Sequence, residues 1–234
     1  MIEKVVVPVP SEIFSVLDKQ QGKPAWAAVL HPVKDASVSG TKEQISLLLG
    51  TVIAEGFVAV EAQNADEVKN IGRTVLTLSK AIGVQKAVVG RANAIIEAAD
   101  KKDWPRVRRE LDGALQVVKQ AMDEMRNQDL AQLVSLGGWL RGTQALTAVV
   151  NAHYTADGAE LLHQPALLDY FKHQIDAMSP KQKNGLVSKI RKGLEEITPV
   201  MGGSETEVPE KAVKQVEAIS TDLIKEIYQK QSSN

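Results

Sequence analysis

Two charged residues stand alone in stretches that otherwise lack charge, and their types could do chemistry. Glu55 is the only ionisable side chain between Glu43 and Glu61, and Arg141 is the only Lys, Arg, Asp or Glu between Asp129 and Asp157. Each directly precedes a glycine, Gly56 and Gly142. A charge inside an apolar helix is costly unless it is paired, so the two opposite charges are expected to meet. In an apolar groove such a pair could orient a ligand carboxylate or amide, and a carboxylate with a raised pKa could act as an acid or base. The structural use of the same pair is to fix the register of two helices, and this is the commoner one.

The glycines bear on the same point. Gly138 and Gly142 are four residues apart on one helix face, and Gly137 widens the gap. A helical glycine costs about 1 kcal/mol relative to alanine, so several in one helix need a reason. Close approach of a second backbone is the favoured reason, and room for a ligand is the other. The natural partner is the helix bearing Gly50 and Gly56. Trp139 beside these glycines reads as a core filler, or as a pocket wall if a pocket exists. Glu55, Gly56, Gly138, Trp139, Arg141 and Gly142 together form the candidate binding site or structural pair. No catalytic residue is assigned.

Other chemistry is poorly supported. His153, His163 and His173 fall close together, and Asp169 and His173 share a helix face. Their spacing matches no H-E-x-x-H pattern, so no metal is expected. The chain has no cysteine, which excludes disulfides and thiolate chemistry. It also lacks a G-x-S-x-G elbow, a G-x-x-x-x-G-K-S/T loop, a G-x-G-x-x-G loop and the G-x-H-x-x-E motif of imelysin-like peptidases, so no cofactor and no family is assigned. Lys101, Lys102, Arg106, Arg108 and Arg109 surround Trp104, but Asp100, Asp103, Glu110 and Asp112 interleave them. That alternation describes a solvated helix face better than a nucleic-acid surface. The formal charge of −1 agrees with this.

The elements that must position these residues are helices. A chain of 234 residues, 44% hydrophobic and 24% charged, can bury a core of its own. Thr41-Lys42-Glu43-Gln44 and Asn64-Ala65-Asp66-Glu67 read as capping boxes, opening helices to Ala62 and Ala81. Gly83 suits the end of the second. A third helix covers Lys86 to Ala99, and Asp103-Trp104-Pro105 opens a fourth that ends near Asn127. The scheme then repeats. An apolar helix runs from Asp129 to His153, and Gly158 breaks it. Pro165 starts the next helix, Ser179-Pro180-Lys181-Gln182 opens one to Ile197, and Pro209 lies in the first turn of the last.

An offset of 86 superposes Leu47 on Leu133, Glu55 on Arg141 and Gly56 on Gly142. The expected fold is therefore all-α, a helical bundle of two pseudo-two-fold-related four-helix repeats with an irregular N-terminal arm. The arm covers residues 1–40, the first unit 41–127 and the second 128–234, packed as one domain. Within the arm, Val5 to Val7 could form a short strand, Glu12 to Lys19 a helix, and Ala25 to Leu30 a strand or a segment packed on the bundle.

The two apolar helices are not expected to insert in a membrane, because the first is short with a central Glu and the second carries several polar residues. The first residues, with a short apolar run followed by prolines, are not expected to act as a signal peptide. The chain is expected to be soluble, either cytoplasmic or exported with its signal removed. The favoured function is non-enzymatic binding of a small ligand or a protein partner. The rivals are an enzyme built on the Glu/Arg pair and a purely structural or assembly protein.

Overall fold

Capping side chains set the helix boundaries. In the computed structural model Thr41 accepts a hydrogen bond from the Gln44 amide and opens α1, Lys42–Glu61. Asn64 accepts from the Glu67 amide and opens α2, Ala65–Ala81. Gly83, at φ +85°, follows its end, a backbone conformation glycine adopts readily. After α3, Gln85–Asp100, Asp103 accepts from the Arg106 amide and opens α4, Trp104–Glu124, with Pro105 in its first turn. The remaining helices are α5, Gln128–Ala152; α6, Ala156–Glu160; α7, Pro165–Ala177; α8, Gly185–Met201; and α9, Glu210–Tyr228.

The structure describes residues 25–31, 38–183, 185–201 and 208–229, together with 14, 16 and 33. The strand expected over Val5 to Val7 lies outside this set. So does the helix expected from Glu12 to Lys19, apart from residues 14 and 16. The described residues are helical with no strand, so the protein is an all-α bundle.

Some boundaries differ from those expected. Gly158 lies inside the short α6, capped by Thr155, and the chain breaks on either side of it. Ser179 and Gln182 do bond each other, but they close an isolated turn, and α8 starts only at Gly185. Pro209 is the N-cap of α9 rather than a residue of its first turn. Trp26–Val29, for which a strand was one expectation, forms a 3-10 turn packed on the bundle.

The peripheral helices are amphipathic. In α4 the buried residues Val107, Leu111, Ala114, Val118 and Met122 form one stripe. In α9 Val213, Val216, Leu223 and Ile227 do the same. By contrast, α1 is buried on all sides from Gln44 to Val60, and α5 is buried along nearly all of its length. A helix apolar all round belongs at the centre of a bundle. Although α1 is long and apolar enough to cross a membrane, 94% of that stretch is buried inside the protein.

Packing order explains the centre. The chain closes one ring as α1 meets α2, α2 meets α3, α3 meets α4, and α4 returns to α1. It closes another as α5 meets α7, α7 meets α8, α8 meets α9, and α9 returns to α5. The rings join through α1 against α5, with α4 also touching α5 and α9 also touching α1.

Candidate functional site

The two lone charges meet. Arg141 Nε donates to Glu55 Oε2 at 2.5 Å, with both side chains essentially excluded from solvent (1% and 0% exposed). The pair also has a second partner. Arg141 Nη2 donates to the Val29 carbonyl at 2.5 Å, and the His31 amide donates to Glu55 Oε1 at 2.7 Å. Two residues further along, the Val33 amide donates to Glu67 Oε1 at 2.8 Å. Residues 25–31 and 33 therefore form a strap over the centre of the bundle. It is anchored by Trp26 and Val33, both buried, and by the Trp26 ring 4.8 Å from that of Phe14.

Electrostatics follow from this burial. Burial pushes the Glu55 carboxyl above the ordinary carboxylate range, while the Arg141 charge and the hydrogen bonds from Arg141 and the His31 amide pull it back. The His31 ring keeps part of its surface in solvent, yet its partial burial lowers its pKa to about 4, with the neighbouring Arg141 charge acting in the same direction. His31 is thus neutral at pH 7.

The glycines divide. A Cβ on Gly50 would fall on the Val134 carbonyl, and one on Gly137 would fall on the Leu47 carbonyl, so here the two backbones touch. Gly138 faces the Gly50 carbonyl, and the Thr51 hydroxyl donates across the crossing to the Gly137 carbonyl at 3.3 Å. Close packing between the α1 and α5 glycines is therefore present as expected at Gly50, Gly137 and Gly138, but it does not extend to Gly56 and Gly142. Gly56 faces Leu111 of α4, and a Cβ on the buried Gly142 would meet nothing within 4 Å. Trp139 fills core: its ring lies 5.4 Å from Phe171 and its indole N–H donates to Gln164 Oε1 at 2.8 Å.

Sequence reasoning missed Glu67 and the strap. Glu67 reads as the last residue of a capping box, but its carboxylate reaches Val33 and Asn70. Gln44, the last residue of the other box, likewise turns away, and its amide donates to the Ile227 and Gln229 carbonyls at 3.1 and 2.7 Å. A polar residue at the end of a capping box, beside a bundle that needs its loose segments tied, is the signal that could have found them.

The remaining candidates are dispersed. His153 and His173 are exposed, and among the described residues no group of three or more His, Asp and Glu gathers as metal ligands. Three cations of the basic cluster are paired: Arg108 with Glu61, and Arg106 and Lys101 with Glu97. An open polar groove of about 520 Å³ lies where the α1–α2 and α3–α4 connections meet, and Lys69 there bridges Asp66 and Asp100. No family model, curated protein or solved structure matches the chain.

Proposed function

We propose that this protein works by binding protein rather than by catalysis, as a helical scaffold without a reaction of its own. The observation that carries this reading is the sealed Glu55–Arg141 pair, whose donors and acceptors engage each other and the main chain of Val29 and His31. An acid or base must come within hydrogen-bond reach of its substrate, and a wholly buried carboxylate beneath a strap does not. The packing around Trp139 likewise offers no support for a small-ligand pocket there. What the arrangement does well is hold a short segment, a 3-10 turn and the residues after it, by its backbone, as a protein-binding site would.

We also infer that the two halves descend from a duplication. The matching order in which the two rings close supports it, as does the join through α1 and α5. The short α6 is the element without a counterpart.

Native mass spectrometry of the protein purified from its own source tests the function. A protein partner bound at fixed stoichiometry is the expected result. A stoichiometric small molecule would overturn the reading in favour of a ligand-binding bundle.

A further inference from the structure

The strap is held through its main chain. Val29 C=O, His31 N–H and Val33 N–H each meet a charged side chain that is itself at least nine-tenths buried, respectively Arg141, Glu55 and Glu67. Leu30, between them, has extended backbone angles (φ −66°, ψ 132°). Bonds to main-chain groups do not depend on which side chains the bound segment carries. Specificity comes instead from the sites holding Trp26 and Val33, each 3% exposed. Buried charges facing a backbone make a receptor for a short segment of main chain, and this chain supplies one that fits it.

We propose that this receptor also accepts the same segment from a second copy of the chain, so that two molecules exchange the N-terminal arm that carries Trp26, Val29, His31 and Val33. The proposal rests on the reading of the protein as a protein-binding scaffold and adds a second occupant to its receptor. Exchange replaces every contact of the strap with an identical one, so the contacts themselves do not oppose it. Seven residues, 34–40, lie between the strap and the Thr41 cap, and a chain of that length spans at most about 25 Å. Gly40, at φ +146°, sits directly before the Thr41 cap and allows a backbone direction other residues rarely adopt. Tethering gives the strap's own copy an effective concentration in the millimolar range, so the closed monomer dominates in dilute solution. Exchange emerges when the tethered copy is disabled or the protein is concentrated.

Two full-length variants remove that competition. Trp26→Asp disables the strap and leaves the receptor intact. Arg141→Met disables the receptor and leaves the strap intact. The expected result by sedimentation is that each variant alone is monomeric, while their mixture forms a one-to-one heterodimer. A mixture that stays monomeric, with both variants helical by circular dichroism, overturns the proposal. Self-association of the Trp26→Asp variant also overturns it, because neither copy then has a working strap. If Arg141→Met does not fold, Glu67→Ala replaces it as the milder receptor defect. A labelled peptide of residues 14–33 is titrated into the Trp26→Asp variant in parallel. Binding of the peptide without a heterodimer overturns exchange and assigns the receptor to a separate peptide. These outcomes are independent of native mass spectrometry, which alone decides between a protein and a small-molecule partner.

Discussion

At Gly50 and Gly137 the crossing of α1 and α5 is backbone against backbone, whereas about one turn further on, at Glu55 and Arg141, the same helices enclose two long charged side chains. The first contact excludes side chains and is rigid, since neither main chain can yield. The second leaves polar capacity over, and the main chain of a third segment satisfies it. One helix pair thus combines a steric lock with an electrostatic socket, and the glycines decide which is which.

The lock should be the more fragile. Gly137→Ala or Gly50→Ala places a methyl group on a carbonyl oxygen of the opposite helix, and each should cost about 3 kcal/mol or more. Urea unfolding midpoints measure this, and a near-neutral result at either position would show that the backbones do not touch.

The socket comes next. Arg141→Met leaves Glu55 Oε2 and the Val29 carbonyl without their donor, a loss of about 3 kcal/mol. Glu55→Gln and the double variant complete a cycle, which should be strongly non-additive. Additive effects would mean that the two side chains stabilise the fold independently.

A smaller effect is expected from pH at the socket. The folded-state pKa of His31 lies near 4, below the unfolded value of 6.5, so its contribution is intact above pH 6.5 and is lost as pH falls towards 4. Glu55 acts in the opposite sense: its raised pKa favours the fold on the acid side, and that contribution is lost as pH rises through the folded value. His31→Gln should therefore flatten the fall in stability between pH 6.5 and 4, read as a narrowing difference in urea midpoint between pH 7 and pH 4.5. An unchanged slope would mean that the His31 ring is neither partly buried nor close to Arg141.

Gly142→Ala should act in the favourable direction. The added methyl meets open space in a buried helix, so a gain of up to about 1 kcal/mol is expected from helix propensity. A rise in melting temperature checks it, whereas a fall would mean that the lock extends along the whole crossing. The smallest effect belongs to a surface pair far from both regions. Arg191→Ala, which removes the contact with Asp176 at 2.9 Å, should cost no more than about 1 kcal/mol.

Much of the fold was legible because its signals are local. Thr41, Asn64 and Asp103 announce their helices through the hydrogen bonds they make. Glu55 and Arg141 were legible as a pair because nothing else nearby could neutralise either charge. Two features were not legible. The first is rotation about the helix axes: sequence spacing aligned Gly56 with Gly142, but the glycines in contact are Gly50, Gly137 and Gly138. The second is the strap. Bonds made by its main chain leave no trace in residue type, and Ala25 to Val33 carries no pattern that names Glu55, Glu67 or Arg141 as its partners. The Ser179 box misled for the opposite reason, since its local bonds form without propagating into a helix.

The strap also sets an order of events during synthesis. Val29 is made 112 positions before the Arg141 that binds its carbonyl. At roughly 5–20 residues per second, the interval is on the order of ten seconds. Throughout it Trp26 has no complete site to enter, and Glu55 has no counter-charge within an otherwise apolar helix. The nascent chain must therefore carry an exposed aromatic anchor and an apolar helix until its second half emerges, which makes the first half the stage at which a chaperone would matter most.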